Sequence, residues 1–286
     1  MEYKNKKEYR VFGIKRSGNH AIINWIFTQS FPPVVFLNNC YPIGSKTLSI
    51  YEGIGRIDCK GINYWDYKQK ILPWETNPFN NEYKITYSKK DSRFKFDKLK
   101  NCEDKIIITS FEDRNIDNIN LLFDYNHDLL VGSSEKIFNL IILRDPFNLL
   151  ASIHKKWMDK DLYLYANLWK EYARKYIEYR ESNQTNLINI NYNRWVVEQN
   201  YRESLAKKLD ITFTDEGKCK VTNFGGGSSF DGISSNKNAE EMGIFERWKQ
   251  FMNDPAFCDL FKDEELIDLS QTIFGNVPET SQLISL

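Results

Sequence analysis

Four short apolar runs, each bounded by polar turns, punctuate the chain: YRVFGI at 9–14, KIIITS at 105–110, FNLIIL at 138–143 and LINI at 187–190. Runs of this length, rich in β-branched and aromatic residues, predict strands buried on both faces. A stretch with helical spacing follows each. After the first, 19–30 places Ile22 with Ile26 and Ile23 with Phe27 one turn apart. After the second, 116–125 carries a weaker version of the same pattern. After the third, 146–158 aligns Phe147, Leu150, Ile153 and Trp157 on one face, with Pro146 in the first turn. After the fourth, 194–209 carries Val197, Tyr201, Leu205 and Leu209 in a stripe, with Asn193 as its expected cap. A further amphipathic helix, 162–182, precedes that strand. Such alternation predicts an α/β fold with a mostly parallel sheet flanked by helices. Ligands in such folds bind beyond the carboxyl ends of the strands.

Two segments break the alternation. Residues 35–104 are long, polar and aromatic, without a clean period, and 210–240 contain the run GGGSSFDG. Long irregular loops in an α/β domain are expected to carry function. There is no repeat and no Pro/Ser-rich linker, so the expectation is one domain over 1–286. It has an insert at 35–104, an irregular loop at 210–240 and an acidic, solvated helical tail at 253–286.

Composition narrows the function classes. The 39 basic and 39 acidic side chains cancel, which argues against a protein that coats nucleic acid. The cancellation is uneven: residues 1–16 carry six basic and two acidic side chains, and 253–286 carry seven acidic and one basic. Five scattered cysteines form no C-x-x-C pair and have no histidine at ligand spacing, so reduced thiols and no metal site are expected. The basic start leads into no secretory apolar region, and no apolar run reaches membrane-spanning length. A cytoplasmic location is the resulting expectation.

The first strand runs into GIKRSGNHAIINWI, from Gly13 to Ile26. A basic, glycine-containing turn that opens a helix aims backbone N–H groups and the positive helix end at one point. Lys15 and Arg16 add full charges there, so an anion is the expected occupant. Gly13 and Gly18 have the spacing of the nucleotide-binding G-x-x-x-x-G-K-[ST] loop, but Asn19 stands where that loop needs its lysine. His20 stands where it needs a hydroxyl for magnesium. A conventional magnesium–nucleotide kinase is therefore disfavoured, and the cation of the cradle falls to Arg16.

Arg16-Ser17-Gly18-Asn19-His20 resembles the 5′-phosphosulfate loop of the sulfotransferases that use 3′-phosphoadenosine 5′-phosphosulfate (PAPS), which reads roughly K/R-S-G-T-T. Here Asn19 and His20 replace two threonines. Arg144-Asp145-Pro146, with Ser152 eight residues after the arginine, resembles the 3′-phosphate element of the same family. The resemblance implies a P-loop-like sulfotransferase fold, with Lys15, Arg16, Ser17, Gly18, Asn19, His20, Arg144 and Ser152 around the nucleotide. It also implies that Tyr192 approaches the adenine. Ser228-Ser229-Phe230 matches a segment in which Ser229 and Phe230 would contact the nucleotide. The family's Arg-Lys-Gly triplet is missing, since Glu241-Met242-Gly243 occupies that stretch. Arg247 and Lys237 are the two candidates to compensate.

The resemblance further implies in-line transfer of a sulfuryl group from PAPS to an acceptor hydroxyl on a glycan or small molecule, without a metal. Arg16 would stabilise the leaving phosphate and His20 would touch the sulfuryl oxygens. The chain has three histidines, none just after the second strand. The expected general base is therefore a carboxylate, Glu112 first and Asp113 second. His154 is expected on the exposed side of its helix. Tyr64, Trp65, Tyr67, Trp74, Tyr83 and Tyr87 could form an acceptor platform or the core of a subdomain. Two other classes stay open: a divergent nucleotide phosphotransferase and a non-catalytic nucleotide-binding module.

Overall fold

In the computed structural model, which describes residues 4–30, 33–43, 47–49, 52–56, 64–68, 104–114, 116–117, 132–158, 161–218 and 243–284, all four apolar runs are strands. The described strands are β1 (Lys4–Gly13), β2 (Val34–Asn38), β3 (Tyr41–Ile43), β4 (Thr47–Ser49), β5 (Glu52–Arg56), β6 (Tyr64–Lys68), β7 (Lys105–Glu112), β8 (Ser133–Ser134), β9 (Ile137–Leu143) and β10 (Leu187–Asn191). The helices are α1 (Asn19–Gln29), α2 (Pro146–Lys156), α3 (Leu162–Glu181), α4 (Tyr192–Val197), α5 (Gln199–Lys208), a 3₁₀ turn (Arg247–Phe251), α6 (Pro255–Asp259), α7 (Glu264–Phe274) and α8 (Ser281–Ile284). This is the expected α/β arrangement, a mostly parallel sheet flanked by helices. Among the described residues no helix is long and apolar enough to cross a membrane. The chain divides into two compact units, Met1–Phe12 with Ser30–Phe138, and Gly13–Gln29 with Asn139–Leu286.

In the first unit the strand order is β1-β7-β2-β5-β6. β2 and β7 run parallel, from Val34 opposite Ile106 to Leu37 opposite Thr109, and are buried at every position. β5 pairs antiparallel with β2, and β6 antiparallel with β5. Residues 35–104 are therefore not the patternless insert expected, since β2 to β6 fall in or at the edge of it. The sequence EGIGR of β5 hid this, because two glycines in five residues erase both alternation and strand propensity. Tyr64, Trp65 and Tyr67 fall on β6; Trp74, Tyr83 and Tyr87 lie outside the described residues.

β1 also starts five residues before its apolar run. Three of its polar side chains, Asn5, Glu8 and Arg10, are buried and joined through Ser134 and one another. Arg10 Nε donates to Glu8 Oε1 at 2.9 Å, Ser134 Oγ donates to Glu8 Oε2 at 2.8 Å, and Asn5 Nδ2 donates to Ser134 Oγ at 2.9 Å. A hydrophobicity pattern cannot reveal a strand whose buried positions are filled by paired polar groups.

In the second unit β9 and β10 pair in parallel, Leu187 opposite Asn139 through Asn191 opposite Leu143. α2 begins as expected at Pro146, capped by Asp145, whose carboxylate accepts from Asn148 N at 2.9 Å. The helix ends at Lys156, leaving Trp157 half-buried beyond it. The helix expected over 194–209 is two, α4 and α5, broken at Glu198. Its cap is Asn191, accepting from Arg194 N at 3.0 Å, rather than Asn193. Val197 leaves the expected stripe and is exposed, while Leu205 and Leu209 are buried.

The acidic tail is not merely solvated. Phe257, Leu260, Phe261, Leu266 and Leu283 are buried, and Phe147 stacks on Phe261 with ring centroids 4.7 Å apart. The acids take the outer face, where Lys170 reaches Asp263 at 2.6 Å and Arg174 pairs with Glu265. Seven acids in a short segment mask an amphipathic pattern that is real.

A strap after α5 is fastened to α1. Arg202 holds Asp215 through two hydrogen bonds of 2.7 Å each and also donates to Trp195 O at 2.7 Å. Thr214 N donates to Gln29 Oε1 at 2.9 Å, Thr28 Oγ1 to Glu216 O at 2.8 Å, and Asn24 Nδ2 to Gly217 O at 3.1 Å. Replacing Arg202 by Ala strands a carboxylate and a buried carbonyl. The expected loss is about 3 kcal/mol in urea unfolding, the low end for a broken buried pair. The reason is that Asp215 keeps 26% of its side chain in water.

Candidate functional site

The turn between β1 and α1 is shaped by two left-handed residues, Arg16 at φ 75° and Gly18 at φ 88°, with Ser17 between them. Alternating handedness turns successive backbone N–H groups to one side, the geometry of an anion nest. Ser17 N closes the turn onto Ile14 O at 3.1 Å, and the Gly18 carbonyl accepts from Ala21 and Ile22 as α1 begins. The first amides of a helix have no partner inside it and carry its positive end. Arg16 is not a glycine, so its conformation costs about 1–3 kcal/mol unless its surroundings hold it. One support is visible: Arg144 Nη1 donates to the Arg16 carbonyl at 3.4 Å.

The loop packs so closely that two glycines are needed. A Cβ on Gly13 would stand 2.2 Å from Asn19 Oδ1, and one on Gly18 would stand 2.0 Å from the Tyr192 ring. Asn19 is buried, and its amide nitrogen donates back to Ile14 O at 3.1 Å. This side-chain nitrogen is thus committed to the strand end, and what Asn19 presents at the helix start is its backbone. Ser17 is fully buried, with no hydrogen-bond partner for its hydroxyl among the described residues. Lys15, Arg16 and His20 are half-buried. Tyr192 covers the loop. Its ring stacks on Trp195 at 6.0 Å, and Trp195 meets Trp25 of α1 edge-on at 6.1 Å.

Arg144 follows β9 and is 2% exposed. Its Nη1 also donates to Ser152 Oγ at 3.3 Å, its Nη2 donates to the Ile244 carbonyl, and its guanidinium lies 5.5 Å from the Tyr192 ring centroid. Its own carbonyl accepts from Trp169 Nε1 at 2.8 Å. No carboxylate forms an ion pair with it among the described residues. Burial lowers its pKa, an effect only partly opposed by Tyr192 and Asp145.

Ser152 is fully buried. Its hydroxyl donates to Asn148 O at 2.7 Å and accepts from two arginines, Arg144 and Arg247. Arg247 Nη1 lies 3.0 Å away, and Arg247 is itself 7% exposed. Arg247 is one of the two residues named to replace the missing triplet; the other, Lys237, lies outside the described residues. The sequence signal was Arg247 beside Trp248, but only the fold brings it to Ser152.

No family model and no curated protein matches the chain. Solved structures do. The sulfotransferase domain of the Synechococcus PCC 7002 olefin synthase is 12% identical, covers 96% of this chain and 97% of its own, and has a TM-score of 0.50. Mouse sulfotransferase SULT7A1, complexed with PAP, is 12% identical with a TM-score of 0.50 and covers 95% of this chain and 89% of its own. The chain has the sulfotransferase fold.

Other expected residues of this sulfotransferase-fold chain lie on other elements. Glu112 is the last residue of β7, in the first unit, and is 7% exposed; Asp113 follows it with φ 56°. Ser229 and Phe230 lie outside the described residues. His154 is not on an exposed helix face. Its Nε2 meets Asp254 Oδ2 at 2.7 Å, and its ring lies 4.7 Å from Phe251 and 6.2 Å from Phe257. It locks the acidic segment onto α2 and is remote in role from the loop.

Two outcomes are expected. Gly18→Ala meets both a left-handed backbone and the Tyr192 ring, and thermal unfolding should show a loss of more than about 1–2 kcal/mol. The hydrogen bond from His154 holds the Asp254 carboxyl below its ordinary pKa. A depressed carboxyl contributes stability above its unfolded pKa, and that stability is lost as pH falls through the folded value. Melting between about pH 2 and pH 6 should therefore have a shallower acid limb in Asp254→Asn than in the parent chain.

Proposed function

We propose that the protein is a PAPS-dependent sulfotransferase that moves a sulfuryl group to an acceptor hydroxyl. The observation that carries this reading is Arg144, a guanidinium 2% exposed with no ionic partner among the described residues, beside a second buried guanidinium on the same serine. A buried guanidinium without an ion pair is costly unless an anion joins it. A phosphate suits the forked donors of both arginines. A nest and a helix start stand one hydrogen bond away, through the Arg16 carbonyl. A nucleotide with a phosphate at each end of its ribose calls for two such stations.

In this reading Arg144, Arg247 and Ser152 take the 3′-phosphate, and Arg16 with the loop amides takes the 5′-phosphosulfate. Lys15 and His20 assist at that loop. The chemistry brought by the donor is a sulfuryl group on a good leaving phosphate. The chain holds the donor, neutralises charge on the leaving side and removes the acceptor proton, with Glu112 as the proposed base. A phosphotransferase is the poorer reading, because the Asn19 nitrogen is engaged with Ile14 where a kinase needs a free cation.

Thermal shift with adenosine 3′,5′-bisphosphate against ATP–Mg²⁺ tests the assignment. The bisphosphate should raise the melting temperature without magnesium; stabilisation by ATP–Mg²⁺ alone would overturn the proposal. Arg144→Ala should weaken bisphosphate binding by about 1.5–3 kcal/mol, roughly ten- to a hundredfold in Kd. Arg16→Ala should instead lower turnover of labelled PAPS with an acceptor panel by about 10²–10³.

A further inference from the structure

The 3₁₀ turn that carries Arg247 has no cap of its own, since Glu246 at its start makes no side-chain capping bond. Its first N–H is taken instead by a residue of another helix. Arg247 N donates to Asn148 Oδ1 at 2.9 Å, across 99 positions of sequence. Asn148 is fully buried in the first turn of α2. Its amide nitrogen donates to Asp145 Oδ1 at 3.0 Å, and its main-chain carbonyl accepts from Ser152 Oγ at 2.7 Å.

We propose that Asn148 is the positioning residue that sets Arg247 against Ser152, and that through Arg247 it determines preference for a nucleotide bearing a 3′-phosphate. This rests on the nucleotide reading above. The chemistry leaves little freedom at this position. Asp145 is an acceptor on that side and the Arg247 amide is a donor, so the bridging group needs an N–H₂ at one end and an oxygen at the other. A carboxamide has both, whereas an aspartate would set a second carboxylate against Asp145. A leucine of similar volume would leave the Arg247 N–H unsatisfied in a dry site and take one hydrogen bond from Asp145. Asp145 is itself braced by Asn193, which donates Nδ2 to Asp145 Oδ2 at 2.9 Å. The sequence Asp145–Asn148–Arg247 thus carries the strand-to-helix turn across to the second guanidinium.

Two readouts test this. Hydrogen exchange followed by mass spectrometry should show faster exchange over 244–251 in Asn148→Ala, with protection elsewhere in α2 and α3 retained. Isothermal titration should show weaker binding of adenosine 3′,5′-bisphosphate, by roughly threefold to tenfold, with little change for adenosine 5′-phosphate. That penalty should vanish in the Arg247→Ala background, because Asn148 acts through Arg247. Equal loss for both nucleotides, additive penalties, or unchanged exchange over 244–251 would overturn the assignment. Asn148→Ser covers the case in which the alanine variant fails to fold. Its shorter side chain cannot span from α2 to the Arg247 amide, so exchange over 244–251 should again quicken, and unchanged exchange would overturn the proposal. If the parent chain binds neither nucleotide, the functional reading fails, while the exchange experiment still decides whether Asn148 holds Arg247.

Discussion

Two guanidiniums share one serine hydroxyl inside the second unit, and much of what surrounds them follows from that. A buried positive charge that forms no ion pair has to be held largely by dipoles. Around Arg144 those dipoles are the Arg16 and Ile244 carbonyls and the Ser152 hydroxyl. Each comes from a different stretch of chain: the nest, the segment before the 3₁₀ turn, and the middle of α2. The same residue therefore organises three elements while remaining a forked donor suited to an oxyanion. Burial lowers its proton affinity but leaves a guanidinium charged at any physiological pH.

The nest is held by packing as much as by hydrogen bonds. Gly18 lies under Tyr192, Tyr192 stacks on Trp195, and Trp195 leans on Trp25 of the helix that the nest opens. Arg202 holds the carbonyl of Trp195 with the same guanidinium that clamps Asp215. The aromatic lid of the loop is thus tied to the strap at 214–217. Rigidity here serves preorganisation: donors fixed before a ligand arrives need not be ordered when it does.

The central strands and the helices α1, α2 and α3 were legible because their burial is apolar and periodic. So was the loop, whose glycines and basic residues follow a strand directly. The illegible parts share one cause, which is that burial was achieved by other means. Glu8 and Arg10 fill strand positions as a pair, β5 is thinned by glycine, and the acidic surface of α7 hides its apolar face. Within the site, Arg16, Gly18, Arg144 and Ser152 announce themselves by local spacing. Arg247 does not, since its place depends on a contact with Ser152 across 95 positions. Asn19 carries the opposite lesson, because a residue at a motif position turned its side chain toward the scaffold.

The borrowed cap on the 3₁₀ turn has a consequence for how the protein comes to exist. The nest and α2 are made from early and middle parts of the chain, and local contacts can shape both as they emerge. The second arginine reaches its seat only when a loop of about a hundred residues has been closed, a step that long-range contacts make slow. The contact of Arg144 with the Arg16 carbonyl spans 128 positions and needs an equally long closure. The charge cluster thus exists only in the completed fold.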